Sequence, residues 1–144
     1  SSLVDPDDFQ SEMLRGFILK AMDRKAEAAE AYELCLKKVK KHVEVNPEDA
    51  RAVYCGSAAY VDMGNREKGL EWLKRSLKLS PDDPYILYGA VCTFCTLGEI
   101  EEAIKYFEET VKTGFALKEW VENDTDLDPI RDHPRYAEIM NMME

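Results

Sequence analysis

Two cysteines separated by two residues, Cys92 and Cys95, are the first candidates for chemistry in this sequence. Zinc sites and redox-active disulfides both use this spacing. A zinc site needs a second Cys or His pair nearby, and a thioredoxin-type site needs a turn between a strand and a helix. Neither feature accompanies these cysteines, which fall inside a predicted helix. We therefore interpret them, with Cys35 and Cys55, as reduced and mostly packed thiols.

Three alternating acids near the C-terminus, Asp124, Asp126 and Asp128, resemble the start of a calcium-binding loop. Such a loop needs a glycine for its sharp turn and a closing glutamate that binds the ion through both oxygens. Pro129 and Arg135 stand at these two positions. The acids are therefore predicted to cap short helices, and no bound metal is expected.

No catalytic residues emerge from the remaining polar side chains. The two histidines, His42 and His133, are far apart in sequence, and there is no glycine-rich phosphate loop. No serine or cysteine nucleophile has an evident base. The glycosylation sequon at Asn123 matters only in a secreted protein. We expect no enzyme activity and no cofactor.

The charge balance excludes two classes of partner. There are 19 basic and 29 acidic residues, which gives a net charge of −10. Nucleic-acid binders normally present a basic face, and anionic membranes attract one as well, so neither partner is expected. The sequence also lacks an apolar run of roughly 18 residues and shows no secretion signal at its N-terminus, which indicates a soluble chain, although a signal upstream of this sequence stays an open alternative. The cysteines, expected to be reduced, predict a cytoplasmic location.

The elements that must position these residues follow from an internal repeat. A shift of 34 residues aligns prolines, glycines and apolar residues over a long stretch. The aligned pairs include Pro47 with Pro81, Asp49 with Asp83, Tyr54 with Tyr88, Gly64 with Gly98, Leu70 with Ile104, and Leu73 with Phe107. Their apolar residues recur every three or four positions, which is the period of a helix. Each unit is therefore predicted to be a pair of helices.

Glycine and proline mark the predicted helix ends. Gly64 and Gly98 end the first helix of each unit in the left-handed conformation, and Asn65 or Glu99 opens the second. Pro47 and Pro81 follow the second helices, because proline cannot continue a helix.

This pattern resembles the tetratricopeptide repeat family, whose repeat is 34 residues long. The family's motif positions are occupied in the second repeat by Val53, Gly56, Ser57, Tyr60, Gly69, Leu73 and Pro81. In the third repeat they are occupied by Leu87, Ala90, Val91, Phe94, Ala103, Phe107 and Phe115. The resemblance implies an all-α fold, a right-handed superhelical solenoid of about three antiparallel helix pairs with C-terminal capping helices.

The resemblance also sets the expected domain boundaries. Residues 1–8, with Pro6, are read as the end of a preceding repeat or a cloning boundary. Residues 9–49, 50–83 and 84–114 form three repeat units, and residues 115–144 form a C-terminal cap. This tail resembles the segments that close tetratricopeptide regions appended to bacterial nucleotide cyclases, Ser/Thr kinases and transcription regulators.

The cap needs an apolar face to cover the last repeat. Five residues are predicted to supply that face: Trp120, Leu127, Ile130, Tyr136 and Ile139. The final helix is predicted to start at His133 and Pro134 and to end at about Met143.

The first unit departs from the family pattern because its closing proline, Pro47, comes seven residues late. Seven residues are nearly two helical turns, so the apolar stripe can continue along one helix. We predict a helix of roughly 20 residues, about 30 Å long, from about Lys25 to Val45. Its extra turns are predicted to project as a basic knob that bears Lys37, Lys38, Lys40 and Lys41. The alternative is an ordinary solvated helix end.

In tetratricopeptide folds the first helix of each pair lines a concave groove. The resemblance places twelve residues there: Gln10, Met13, Phe17, Lys20, Arg51, Tyr54, Ala58, Val61, Tyr85, Tyr88, Cys92 and Cys95. Tyr54, Tyr85 and Tyr88 are candidate anchors for a partner, and packing against neighbouring helices is the alternative.

Two functions are expected. The first is a non-catalytic scaffold that binds a peptide or helical segment of another protein, or of the parent chain, in the groove. The alternative is a self-association module, through which copies of a larger multidomain signalling protein form a homo-oligomer.

Overall fold

The computed structural model describes residues 8–143, and every regular element among them is helical. The prediction of an all-α fold is thereby confirmed. The elements are α1 (Phe9–Ala21), α2 (Lys25–Val45), α3 (Ala50–Asp62), α4 (Arg66–Leu79), α5 (Pro84–Thr96), α6 (Ile100–Lys112), α7 (Lys118–Asn123), a 3₁₀-helix (Thr125–Ile130) and α8 (Tyr136–Asn141). The expectation for Pro6 lies outside the described residues. No helix in the described range is both long and apolar enough to cross a bilayer.

The chain divides into two compact units, Ser1–Leu79 and Ser80–Glu144. In the first unit, α1 packs on α2 and α3 packs on α4, while α3 also contacts α2 and α1. In the second unit, α5 and α6 form a hairpin, the 3₁₀-helix packs on both of them, and α8 packs on α6.

Three turns between paired helices have the same backbone geometry. Gly64 and Gly98 have φ of +85° and +77°, as predicted for left-handed glycines. The amide of the next residue in each turn, Asn65 or Glu99, donates a 2.9 Å hydrogen bond to a carbonyl of the first helix. In the α1–α2 turn the left-handed residue is Asp23, with φ of +58°. The α1–α2 turn therefore has the same left-handed geometry as the other two turns, with an aspartate in place of the glycine.

Aspartates begin the first helices. The side chains of Asp8, Asp49 and Asp83 each accept a backbone hydrogen bond from the first turn that follows, at 2.9 to 3.2 Å. Such caps satisfy amides that have no partner within the helix. Pro84 occupies the first turn of α5, where its missing N–H costs nothing.

The long second helix is observed with the predicted bounds, Lys25–Val45. Its predicted stripe is buried along its whole length: Ala28, Tyr32, Cys35, Val39 and Val43. The apolar period survives the seven-residue insertion because that insertion turns the helix by almost two whole turns.

The prediction of a projecting basic knob at the end of α2 is wrong for two of its lysines. Lys38 Nζ lies 3.4 Å from Glu12 Oε1 on α1, and Lys40 Nζ lies 5.6 Å from the ring centroid of Tyr60 on α3. The extra turns do not project freely, because their buried stripe packs against the neighbouring helices.

The cap core matches the prediction at three residues and differs at a fourth. Leu127, Ile130 and Ile139 are fully buried, whereas Trp120 is 63% exposed. Tyr136 contributes by stacking on Phe107, with ring centroids 5.6 Å apart. Val121, the residue after Trp120, takes the buried position in α7. A shift of one residue along the helix turns the side chain by about 100°, which carries the tryptophan to the surface.

The last helix is shorter than predicted. It begins at Tyr136 and ends at Asn141. Residues 133–135 form a turn instead, in which His133 Nδ1 accepts a 3.1 Å hydrogen bond from the Arg135 amide. This side-chain bond holds the backbone in a turn just before the helix.

Candidate interaction surfaces

Several predicted groove residues of the first unit are buried in it. Met13 on α1 and Tyr54, Ala58 and Val61 on α3 have less than a tenth of their surface exposed. Tyr54 therefore offers little area to a ligand, and the packing alternative describes it better than the anchor hypothesis. The reason is that α3 is surrounded by α1, α2 and α4, so almost all of its side chains meet protein.

Other predicted residues of the first unit lie at the surface. Phe17 is 36% exposed, and its ring meets the edge of Tyr32 with centroids 6.0 Å apart. Lys20 Nζ donates to Asp62 Oδ1 at 2.9 Å, which ties the end of α1 to the end of α3. Gln10 and Arg51 are also exposed. Within this unit the first helices thus present an aromatic ring, an amide and two cations.

In the second unit the segment after α6 covers much of the predicted face of α5. Tyr88 stacks on Phe115, with centroids 5.4 Å apart, and its hydroxyl donates to Asp124 Oδ2 at 2.5 Å. Cys95 is buried. Tyr85, one turn earlier, remains 41% exposed. The chain's own cap therefore occupies the face of Tyr88, and Tyr85 is the tyrosine on α5 that a partner can reach.

The cap also brings Cys92 close to Asp124 and Asp126, which the sequence analysis considered as part of a different motif. One ligand atom each of Cys92, Asp124 and Asp126 lies within 4.8 Å of the other two. Burial, and then the nearby carboxylates, raise the pKa of the Cys92 thiol above its usual value. Both oxygens of Asp124 accept hydrogen bonds, from Tyr88 and from the Asp126 amide. These bonds give the cluster a structural role in closing the cap.

Burial dominates the electrostatics of this region. It raises the pKa of Cys95 to about 11, and it also raises the pKa of Tyr88, with the Asp124 hydrogen bond as the next cause. A thiol must ionise to act as a nucleophile or a metal ligand. The interpretation of Cys92 and Cys95 as structural thiols is consistent with these shifts.

Arg131 holds the cap together, and the sequence analysis did not single it out. Its guanidinium donates to the Val121 carbonyl at 3.0 Å and to the Asp124 carbonyl at 2.7 Å. It also donates to Tyr136 Oη at 2.6 Å and to Asp128 Oδ1 at 2.8 Å. One side chain thus links the end of α7, the 3₁₀-helix and the start of α8.

A second surface that the sequence missed lies beside α7. Leu117 and Trp120 are 60% and 63% exposed, and they border an open depression of about 940 Å³. Glu119, Asp124 and Asp126 are among the other residues that line it. The period of the apolar residues gave no indication of this surface, because it favoured Trp120 as a core residue.

A third surface is an apolar stripe on α1. Leu14, Ile18 and Met22 follow one another at four-residue spacing, and each is more than half exposed. Residues at this spacing share one face of a helix, so the stripe is continuous.

Comparison with known proteins shows which family this chain resembles. Residues 57–83 match the model of the tetratricopeptide repeat. Over that segment the chain is similar to the tetratricopeptide repeat family. Among solved structures, the MamA RS-1 ArsTM double mutant superimposes with a TM-score of 0.52 and 22% identity. That match covers 76% of this chain and 57% of the other, so the chain spans less than two thirds of its length. No curated protein matches this sequence. The tetratricopeptide repeat is in general a scaffold for protein–protein interaction.

Proposed function

We propose that this tetratricopeptide chain is a non-catalytic module whose first helices hold a segment of another protein, or of its own parent chain. The observation that carries the proposal is the exposure of aromatic side chains on those helices. Phe17 on α1 and Tyr85 on α5 are exposed. Aromatic residues contribute large contact areas at a low entropic cost and are enriched among the residues that dominate binding energy.

Polar groups on the same helices support the proposal. Gln10 and Lys20 on α1 and Arg51 on α3 are exposed, as is Phe17 on α1. A bound segment gains orientation from a few such groups around an apolar anchor. Family members that bind C-terminal carboxylates place Lys, Asn and Arg at groove positions where this chain has Met13, Phe17, Cys55, Arg51 and Gly89. An apolar or aromatic side chain of the partner suits this surface better than a carboxylate.

The test compares capture from a native cell lysate by the wild-type domain and by the Phe17→Ala, Tyr85→Ala double variant. The control is the double variant Met63→Ala, Leu79→Ala, which removes two apolar side chains of similar exposure from other positions. We expect a partner that the wild type and the control retain and the aromatic variant loses. If all three proteins capture the same partners and have the same helical circular dichroism, the first-helix proposal is wrong.

Self-association is a second candidate function, and the apolar stripe on α1 favours it. An exposed stripe of Leu14, Ile18 and Met22 is the type of surface that tetratricopeptide helices bury against a neighbouring helix. A second copy of the chain would bury it if two α1 helices pack against each other. Helix–helix association through such a stripe is driven by the removal of apolar area from water.

Sedimentation velocity at increasing protein concentration tests this candidate. The variant Leu14→Lys, Ile18→Lys should remain monomeric at concentrations where the wild type associates. Val45→Lys is the control, because Val45 is an exposed apolar residue at the far end of α2. A wild-type protein that stays monomeric throughout would exclude self-association through α1.

A further inference from the structure

The exposed indole of Trp120 lies close to Tyr88. The Tyr88 hydroxyl donates a 2.5 Å hydrogen bond to Asp124 Oδ2. The Tyr88 ring is itself stacked on Phe115. Most of the surface of the Trp120 indole faces solvent. An aromatic side chain has few rotatable bonds, so it offers a large contact area at a low entropic cost on binding.

Trp120 does not stand alone, because it borders the depression beside α7. Leu117, the residue just before α7, lines the same depression and is 60% exposed. The volume of about 940 Å³ is enough to receive one bulky side chain with its flanking backbone. A Trp and a Leu together provide the apolar centre that protein-binding sites commonly have.

The surroundings of the depression are acidic. Residues 115–130 contain five acids and one lysine, and Glu119, Asp124 and Asp126 line the depression directly. Lys118 also lines the depression, but from Glu99 to the C-terminus there are 13 acids and 5 bases, so the net charge of this region is −8. Such a field attracts cationic segments and repels nucleic acids and anionic lipids.

We propose that this depression is a second docking site, independent of the first-helix face, for a basic segment of a partner protein. The segment carries one bulky apolar side chain with lysines or arginines on both sides. The apolar side chain packs between Leu117 and Trp120, and the flanking cations lie over the acidic rim with Glu119 and Asp126. Charge complementarity selects this occupant, and the exposed indole provides the apolar anchor.

Trp120 itself provides the assay. The chain has two tryptophans, so the variant Trp72→Phe leaves Trp120 as the only emitting indole. The probes are synthetic 12-residue peptides with a central Leu or Phe flanked by lysines. Two matched peptides serve as controls: one has glutamates in place of the lysines, and one has a central Ser. The basic apolar peptides should shift the Trp120 emission to the blue and protect it from acrylamide, and added salt should weaken both effects.

Variants separate the apolar and the charged contribution. Measured by the anisotropy of labelled peptide, Trp120→Ala should weaken binding at least about tenfold, because it removes the anchor. Glu119→Lys should weaken binding several-fold and reduce its salt dependence. Glu71→Lys makes the same charge change on α4 in the first unit and should leave binding unchanged. The aromatic variant Phe17→Ala, Tyr85→Ala should also bind normally, which separates this site from the first-helix face.

Three outcomes would overturn the proposal. The first is no protection of Trp120 by any lysine-flanked peptide up to ~1 mM, which corresponds to a binding free energy weaker than about −4 kcal/mol. The second is equal binding of the glutamate-flanked peptide. The third is concentration-dependent protection of Trp120 in the protein alone, because that would make a second copy of this chain the occupant.

Discussion

Replacing Arg131 by methionine should lower the free energy of unfolding by about 3 to 4 kcal/mol, because three structural elements of the cap share this one side chain. Arg131 is 26% exposed as a side chain, so its hydrogen bonds are partly shielded from water. Two of them satisfy the carbonyls of Val121 and Asp124 at the end of α7. Methionine fills a similar volume but removes the guanidinium donor from Tyr136 Oη and from both carbonyls, which then keep only their hydrogen bonds from the Asp124 and Leu127 amides.

The magnitude follows from the four bonds. The contacts with Tyr136 Oη and the two carbonyls are short, and each contributes about 1 kcal/mol or slightly more. The contact with Asp128 adds roughly 0.5 kcal/mol, because that carboxylate is well exposed. Arg131→Lys should recover less than half of the loss, since an ammonium cannot reach several acceptors in the plane of a guanidinium.

Urea denaturation followed by circular dichroism measures the total loss, and hydrogen exchange read by mass spectrometry locates it. Exchange should increase in residues 118–136 and change little in α3 and α4. Arg135→Ala is the matched control: it removes an exposed arginine that pairs with Glu108 and should cost less than about 1 kcal/mol. A loss below about 1 kcal/mol for Arg131→Met, or equal losses for the two variants, would refute the role assigned to Arg131.

Three further predictions concern the helix pairs. Asp23→Gly should raise the unfolding free energy by about 0.5 to 1 kcal/mol in urea denaturation, because glycine adopts the left-handed conformation of this turn without strain; a decrease would contradict this explanation. Gly69→Ala should destabilise by about 1 to 3 kcal/mol despite the better helix propensity of alanine, because the new methyl group would lie 2.4 Å from Val61 Cγ2; a rise in melting temperature would show that Val61 moves away. Burial raises the pKa of Cys35 and of Cys55 from 9.0 to about 12, so the folded state resists their ionisation. The free energy of unfolding should therefore keep its full value below pH 9 and fall between pH 9 and about 12, by up to about 1.4 kcal/mol per thiol for each pH unit. Unfolding curves with the same midpoint at pH 8 and pH 10.5 would disprove this prediction.

The helices were predictable because their ends depend on local chemistry. The repeat spacing and the turn glycines gave the pairing, and the bounds of α2 followed from the continued stripe of Ala28 to Val43. The cap was harder. Its helices are only six residues long, and over so short a stretch the apolar period does not distinguish Trp120 from Val121 as the buried residue.

The candidate surfaces were predicted less well than the helices. Family position indicated which residues lie on the first helices, but not which of them remain exposed. Tyr54 and Tyr88 occupy equivalent places in their repeats, yet Tyr54 is buried by helices of the first unit, whereas Tyr88 is half-buried and covered by the cap. The difference depends on which helices surround α3 and α5, and a single repeat's sequence does not contain that information.

The sequence by itself determined the helical repeat, its turns and its acidic charge, because these depend on residues close together along the chain or on composition alone. Tertiary structure alone decided that the cap covers Tyr88, that Cys92 meets Asp124, and that Arg131 joins three elements. It also decided that Trp120 faces solvent beside an acidic depression. These contacts join residues that are distant in sequence or separate helices of the cap, and the packing of those helices, not any local pattern, brings them together.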